Sequence, residues 1–243
     1  MKHTDLNKLK EIALDFLDIE PEAVPEFPLI VNHPYYDSRI MALPKPTEDG
    51  QFNVEPFDIF ECPEKFEKLK DHMRESIING NLDTIFARIL AKYHLAFLKF
   101  AKPYMSKKDF DTYLGYSWVF SENPNQDANV DIPTLIKWFK SANPKHLMDK
   151  EEYEYYCELP NVIEVYRGVA VGRAKEDGLS WTCNRKTAEW FANRFNYSDN
   201  KGYIIKGVID KADVFAYFNG RNEDEICCNS SKVRDIQKTT FSN

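Results

Sequence analysis

The chain changes character at Pro160, and that change constrains its fold more than any other feature. Upstream, apolar residues recur at helical spacing. Downstream come short runs rich in β-branched and aromatic residues, interrupted by one amphipathic helix. VIEVYRGVAV (162–171), GYIIKGVID (202–210) and DVFAYFN (213–219) read as strands, as do the shorter LSWTC (179–183) and EDEICC (223–228). SKVRDIQ (231–237) reads as a closing edge strand. NRKTAEWFANRF (184–195) places Ala188, Phe191, Ala192 and Phe195 on one helical face. A helical part followed by a strand-rich part predicts an α+β fold, with residues 1–150 mainly helical and 151–243 forming a strand-rich core.

The helical part has its own punctuation. Leu6, Leu9, Ile12, Ala13, Phe16 and Leu17 define a first helix, with Thr4 or Asp5 as its cap, ending before Pro21. From Pro21 to Pro63 prolines recur among aromatics, which excludes long helices and predicts an extended segment packed over a core. Pro63 suits the first turn of a helix that runs to Asn79, and a wide apolar face predicts another from Leu82 to Phe100. Ser106 opens a short helix to Leu114. Asp127, Asn129 and Asp131 have the early-ligand spacing of a calcium loop. Ile132 stands where that loop needs glycine and Trp138 where it needs glutamate, so the reading is Asx turns leading into a helix from Ile132 to Ser141. No metal is expected. DKEEYEYYCEL (149–159) is a further helix.

Composition narrows the function classes. A hydrophobic content of 43% is that of a globular protein, and a net charge of −7 disfavours a nucleic-acid partner. The 5 cysteines include no CxxC pair and read as free thiols of a reducing compartment. The N-terminus carries acids throughout and has no secretory core, and no apolar run reaches a membrane-spanning length. The expectation is a soluble, cytoplasmic protein without a membrane partner.

Three chemical groups fall at predicted strand ends. Arg167 is followed by Gly168. Arginine suits a diphosphate through planar, permanently charged contacts, and glycine lets a ligand approach the backbone. Ser180 and Thr182 lie two apart, so both hydroxyls face one side of a strand. One can fix a carboxylate while the other holds substrate or backbone. Glu223 and Glu225 are also two apart, and like charges on one face are unusual without a use.

In this order, Tyr166-Arg167-Gly168, Ser180-Trp181-Thr182 ahead of the helix, and Glu223-Asp224-Glu225-Ile226 resemble the Arg–Ser–Glu signature of the cholera-toxin-like mono-ADP-ribosyltransferases, which occur in bacteria and bacteriophages. The resemblance covers about 162–236 and leaves residues 1–160 uncovered. It implies a split β-sandwich with a cleft for NAD, which is the substrate, and a protein acceptor. Glu225 is the implied catalytic glutamate, and Glu223 the group that orients and deprotonates the acceptor. That acceptor is an arginine by the Glu-x-Glu pattern. Ser180 supports catalysis, and Gly168, Ser180 and Thr182 are implied NAD-binding residues. Arg167 and Arg194 are the implied phosphate contacts, with Phe195 or Tyr197 stacking on nicotinamide. For a phage-encoded member, the compartment is the host cytoplasm. The interval from Arg167 to Ser180 is short, so the missing cleft wall is expected from an upstream helix such as 148–159. The alternatives are a NAD glycohydrolase, with water as acceptor, and a non-catalytic NAD-binding module.

Overall fold

The computed structural model describes residues 2–46, 52–194 and 202–240. The chain divides into two compact units, 1–106 and 107–243. The sequence placed the division at 150/151. The structure moves it upstream because the helices of 107–158 pack with the sheet that follows them.

In the first unit, α1 (Leu6–Leu17) is capped by Asp5, whose carboxylate accepts from Lys8 N at 3.1 Å. Thr4, the other cap candidate, instead accepts from Ser106 N at 2.7 Å. The proline-rich stretch forms two antiparallel hairpins, β1 (Glu22–Val24) with β2 (Phe27–Asn32) and β3 (Ile40–Pro46) with β4 (Phe52–Asp58). Next come α2 (Pro63–Asn79) and α3 (Leu82–Arg88), then α4 (His94–Ala101). The helix expected over 82–100 breaks because Ile89 and Leu90 adopt extended backbone, with ψ of 133° and 138°. The buried His94 ring bridges that break, with Nε2 2.9 Å from both Phe86 O and Ile89 O. Leu9, Ala13 and Leu17 of α1 are buried where α1 packs on α2, α3 and α4.

The second unit begins with α5 (Lys107–Phe120), longer than the expected 106–114. The continuation carries Trp118, which is fully buried. The next loop is organised by an Asx turn, Asp127 accepting from Asn129 N and Val130 N at 2.7 and 2.9 Å. Then follow α6 (Ile132–Ser141), α7 (Pro144–Leu147) and α8 (Lys150–Glu158). The strands are β5 (Val162–Val169) and β6 (Ser180–Thr182), then, after α9 (Arg185–Asn193), β7 (Tyr203–Asp210), β8 (Val214–Phe218), β9 (Glu225–Cys228) and β10 (Arg234–Thr240).

These six strands form one sheet in the order β10-β7-β5-β6-β9-β8, with every neighbouring pair antiparallel. The halves β10-β7-β5 and β6-β9-β8 join through a single residue pair, Tyr166 opposite Thr182. The mixed helix-and-sheet content is that of an α+β protein. All of β8 is buried, and Phe215 stacks on Phe139 of α6 at 5.7 Å, which in turn meets Trp118 edge-on at 5.1 Å. On the other half of the sheet, α9 lies against β5 and β7. Among the described residues, no helix is long and apolar enough to cross a membrane.

Candidate active site

The pinch between the two half-sheets opens into a cavity of about 400 Å³. Arg167 and Gly168 of β5 line it, with Ser180 and Thr182 of β6, Glu225 at the start of β9, Glu223 just before it, and Arg194 at the end of α9. The volume lies within the usual range for small-molecule sites. Of the expected site residues, Phe195 and Tyr197 fall outside the described residues; the other seven converge here.

Glu225 is the centre of the arrangement. Its side chain is buried, and its Oε1 accepts two hydrogen bonds, from Ser180 Oγ and, at 2.9 Å, from Trp118 Nε1. Ser180 lies opposite Cys227, so its bond to Glu225 is a diagonal cross-strand contact on one face of the sheet. Burial pushes the Glu225 carboxyl above the usual carboxylate range. The Ser180 and Trp118 bonds oppose that shift, as does the nearby Arg221 charge. Both bonds use Oε1, and no hydrogen bond to Oε2 is seen among the described residues. Trp118 had no signal in the sequence beyond a buried indole N–H that must find an acceptor.

Asn125 is the second residue the sequence did not single out. Its amide nitrogen donates to Ser180 Oγ at 3.0 Å, and its amide oxygen accepts from Leu179 N. Ser180 is thus positioned from both sides, receiving from Asn125 and donating to Glu225. Glu122 to Asn125 supply the upstream wall of the cavity. The wall expected from 148–159 is not built that way: α8 packs along β8, and none of its residues lines the cavity.

Thr182 holds backbone. Its hydroxyl donates to Glu223 O at 2.8 Å and accepts from Asn184 N at 3.0 Å, which ties the Glu223 turn to the start of α9. That turn carries two non-glycine residues in left-handed conformation, Asn222 at φ 54° and Asp224 at φ 47°. Asn and Asp tolerate this region best, and such strain persists only where surroundings over-determine it. Here they do. The Asp224 carboxylate accepts from Tyr217 Oη at 2.9 Å and from Asn184 Nδ2 at 3.1 Å. Glu223, between the two, points its carboxylate at Arg221, 3.1 Å away.

Arg167, expected at a diphosphate, lines the cavity and also holds backbone: its Nε and Nη2 donate to Lys175 O at 3.0 and 2.8 Å, and its Nη1 donates to Ser180 O. Three of its five N–H groups therefore brace the segment between β5 and β6. Burial lowers its proton affinity, with Glu225 acting the other way. Gly178 packs against the guanidinium, where a Cβ would fall 2.7 Å from Cζ. Gly168 was expected to admit a ligand. The close approach it permits is that of α9: a Cβ there would overlap Ala188 O and lie 2.7 Å from Ala192 N. Arg194 lines the cavity with its guanidinium 5.0 Å from the Trp190 ring centroid.

Comparison of the chain with protein-family models, with curated proteins and with solved structures gives no match.

Proposed function

We propose that this protein is a NAD-dependent mono-ADP-ribosyltransferase of the Arg–Ser–Glu class, transferring ADP-ribose to an arginine of a protein target. The observation that carries the reading is the buried Glu225 carboxylate, held through one oxygen by Ser180 and Trp118, on the cavity that Glu223 and Arg167 also line. The single-pair junction between β5 and β6 supports the finer fold reading, a split β-sandwich whose cleft opens where the halves part.

The chemistry follows from the placement of the two acids. Glu225 is fixed through Oε1, so Oε2 is available to the 2′-hydroxyl of the nicotinamide ribose. A preorganised carboxylate there stabilises the positive charge that develops on the sugar as the glycosidic bond to nicotinamide breaks. The bonding pair leaves with nicotinamide and neutralises its ring. A guanidino nitrogen of the acceptor bonds to the same carbon, and its proton passes to Glu223. Arg194, with Arg173 on the loop that Arg167 braces, lines the cavity where the phosphates are expected. The soluble, cytoplasmic setting is part of the same reading.

Nicotinamide release from NAD, followed with tagged NAD and mass spectrometry of labelled proteins, tests it. Labelled arginine is the expected product. Free ADP-ribose without labelled protein would mean a glycohydrolase, and NAD binding without turnover a binding module. Glu223→Gln is expected to lose transfer while retaining some hydrolysis; normal transfer by that variant would remove the arginine assignment.

A further inference from the structure

The Glu223 carboxylate is already engaged. Its Oε2 lies 3.1 Å from Nη2 of Arg221, two residues earlier in the same turn, and both side chains line the cavity with Glu225. The turn that presents them is fixed. Asn219 N and Gly220 N donate to Glu152 Oε1 at 2.7 and 3.1 Å, Asp224 N donates to Asn219 Oδ1 at 3.2 Å, and Thr182 holds the Glu223 carbonyl. The side chains are partly exposed, at 38% for Arg221 and 20% for Glu223, so an incoming group can reach the pair. A guanidinium therefore rests on the acid that, in the transferase reading on which this inference depends, must hold the guanidinium of the acceptor.

We propose that Arg221 is an internal competitor for the acceptor position, a specificity-determining residue that an incoming arginine must displace from Glu223. The exchange replaces one guanidinium–carboxylate pair with another, so it favours acceptors whose guanidinium brings further contacts and disfavours free small guanidines. It also keeps the Glu223 carboxylate partnered when no acceptor is bound, where it would otherwise stand opposite the Glu225 charge. A partly exposed ion pair of this kind corresponds to about a twofold to fivefold change in an equilibrium.

The test uses the full chain, NAD and agmatine, a small soluble guanidine, as acceptor. Arg221→Gln removes the competing charge at similar length, and Arg221→Lys keeps a charge that can pair with Glu223. The expected result is an agmatine KM about twofold to fivefold lower in R221Q, with R221K close to wild type. An unchanged or raised KM in R221Q overturns the proposal, as does an equal fall in R221K, which would make side-chain shape the cause. Nicotinamide release without agmatine product in both wild type and R221Q also overturns it, while NAD cleavage stands. A chain that releases no nicotinamide overturns the transferase reading and this inference together.

Discussion

Replacing Trp118 with phenylalanine removes one of the two donors that hold Glu225 and leaves an aromatic ring in its place. The lost bond, Nε1–H to a buried carboxylate at 2.9 Å, is of the charge-assisted kind, worth about 1.5–3 kcal/mol. If that stabilisation serves the ionised, correctly aimed Glu225, kcat/KM for nicotinamide release falls roughly tenfold to hundredfold near neutral pH. The loss also has a pH signature. Burial raises the Glu225 carboxyl, and the Trp118 bond is among the contacts that hold it down. Removing the bond lifts the carboxyl further, so less of it is ionised at a given acidic pH. The acid limb of the rate profile then moves to higher pH, and part of the activity returns as pH rises. The assay is nicotinamide release between about pH 5 and 9. Circular dichroism accounts for lost packing, since Trp118 is fully buried against Phe139. Ser180→Ala removes the other donor to the same oxygen at smaller cost in volume and should move the limb the same way. A Trp118→Phe enzyme that loses activity with an unmoved acid limb would refute the argument, because packing alone would then explain the loss.

Three further outcomes are expected. Glu225→Gln should abolish nicotinamide release and leave the fold intact. The wild-type carboxyl is raised in the folded state, so its favourable contribution is complete below the unfolded carboxylate range and is lost as pH rises through the folded value. Thermal melts should accordingly show the variant gaining on wild type with increasing pH, and a constant difference would contradict the burial argument. Gly168→Ala forces a methyl group into the backbone of α9, and overpacking of that kind costs about 1–3 kcal/mol or more. A melting temperature lowered by roughly 5 °C or more is expected, and an unshifted one would mean that α9 does not pack as described. His94 and His33 are buried and held below the ordinary histidine range, chiefly by desolvation. As pH falls below about 6.5, the unfolded chain takes up protons that the folded rings refuse, so stability should decline. Urea melts at pH 7.5 and 5.5 would show this if His94→Gln reduces the difference, and an identical pH response in that variant would exclude His94 as a source.

The two-part pattern of the chain was legible because helical and strand periodicities are local properties. The strands at 162–169, 203–210 and 214–218 and the helix at 132–141 need only their own side-chain sequence to be recognised. The helix over 82–100 was misread at 89–90 for the converse reason: the apolar pattern runs on through the break, and His94 satisfies the freed carbonyls from beyond it. The reach of α5 to Phe120 was also hidden, because what keeps its last turn helical is the burial of Trp118 in the second unit.

The candidate site divides along the same line. Spacing singled out Ser180 and Thr182, since residues two apart on a strand share a face whatever the strand pairs with. It also marked Glu223 and Glu225, although the expected strand over 223–228 begins only at Glu225 and Glu223 sits in the turn before it, beside the left-handed Asp224. Pairing partners are a different matter. The sequence could not show that Arg167 spends its donors on the Lys175 and Ser180 carbonyls, that Gly168 makes room for a helix, or that Trp118 and Asn125 come from about 107 and 55 residues away to fix the acid and its serine. Side-chain type and strand alternation are written in the chain one residue at a time. Hydrogen-bond partners and close approaches depend on which distant segments share a surface, and only the folded sheet and the helices packed on it decide that.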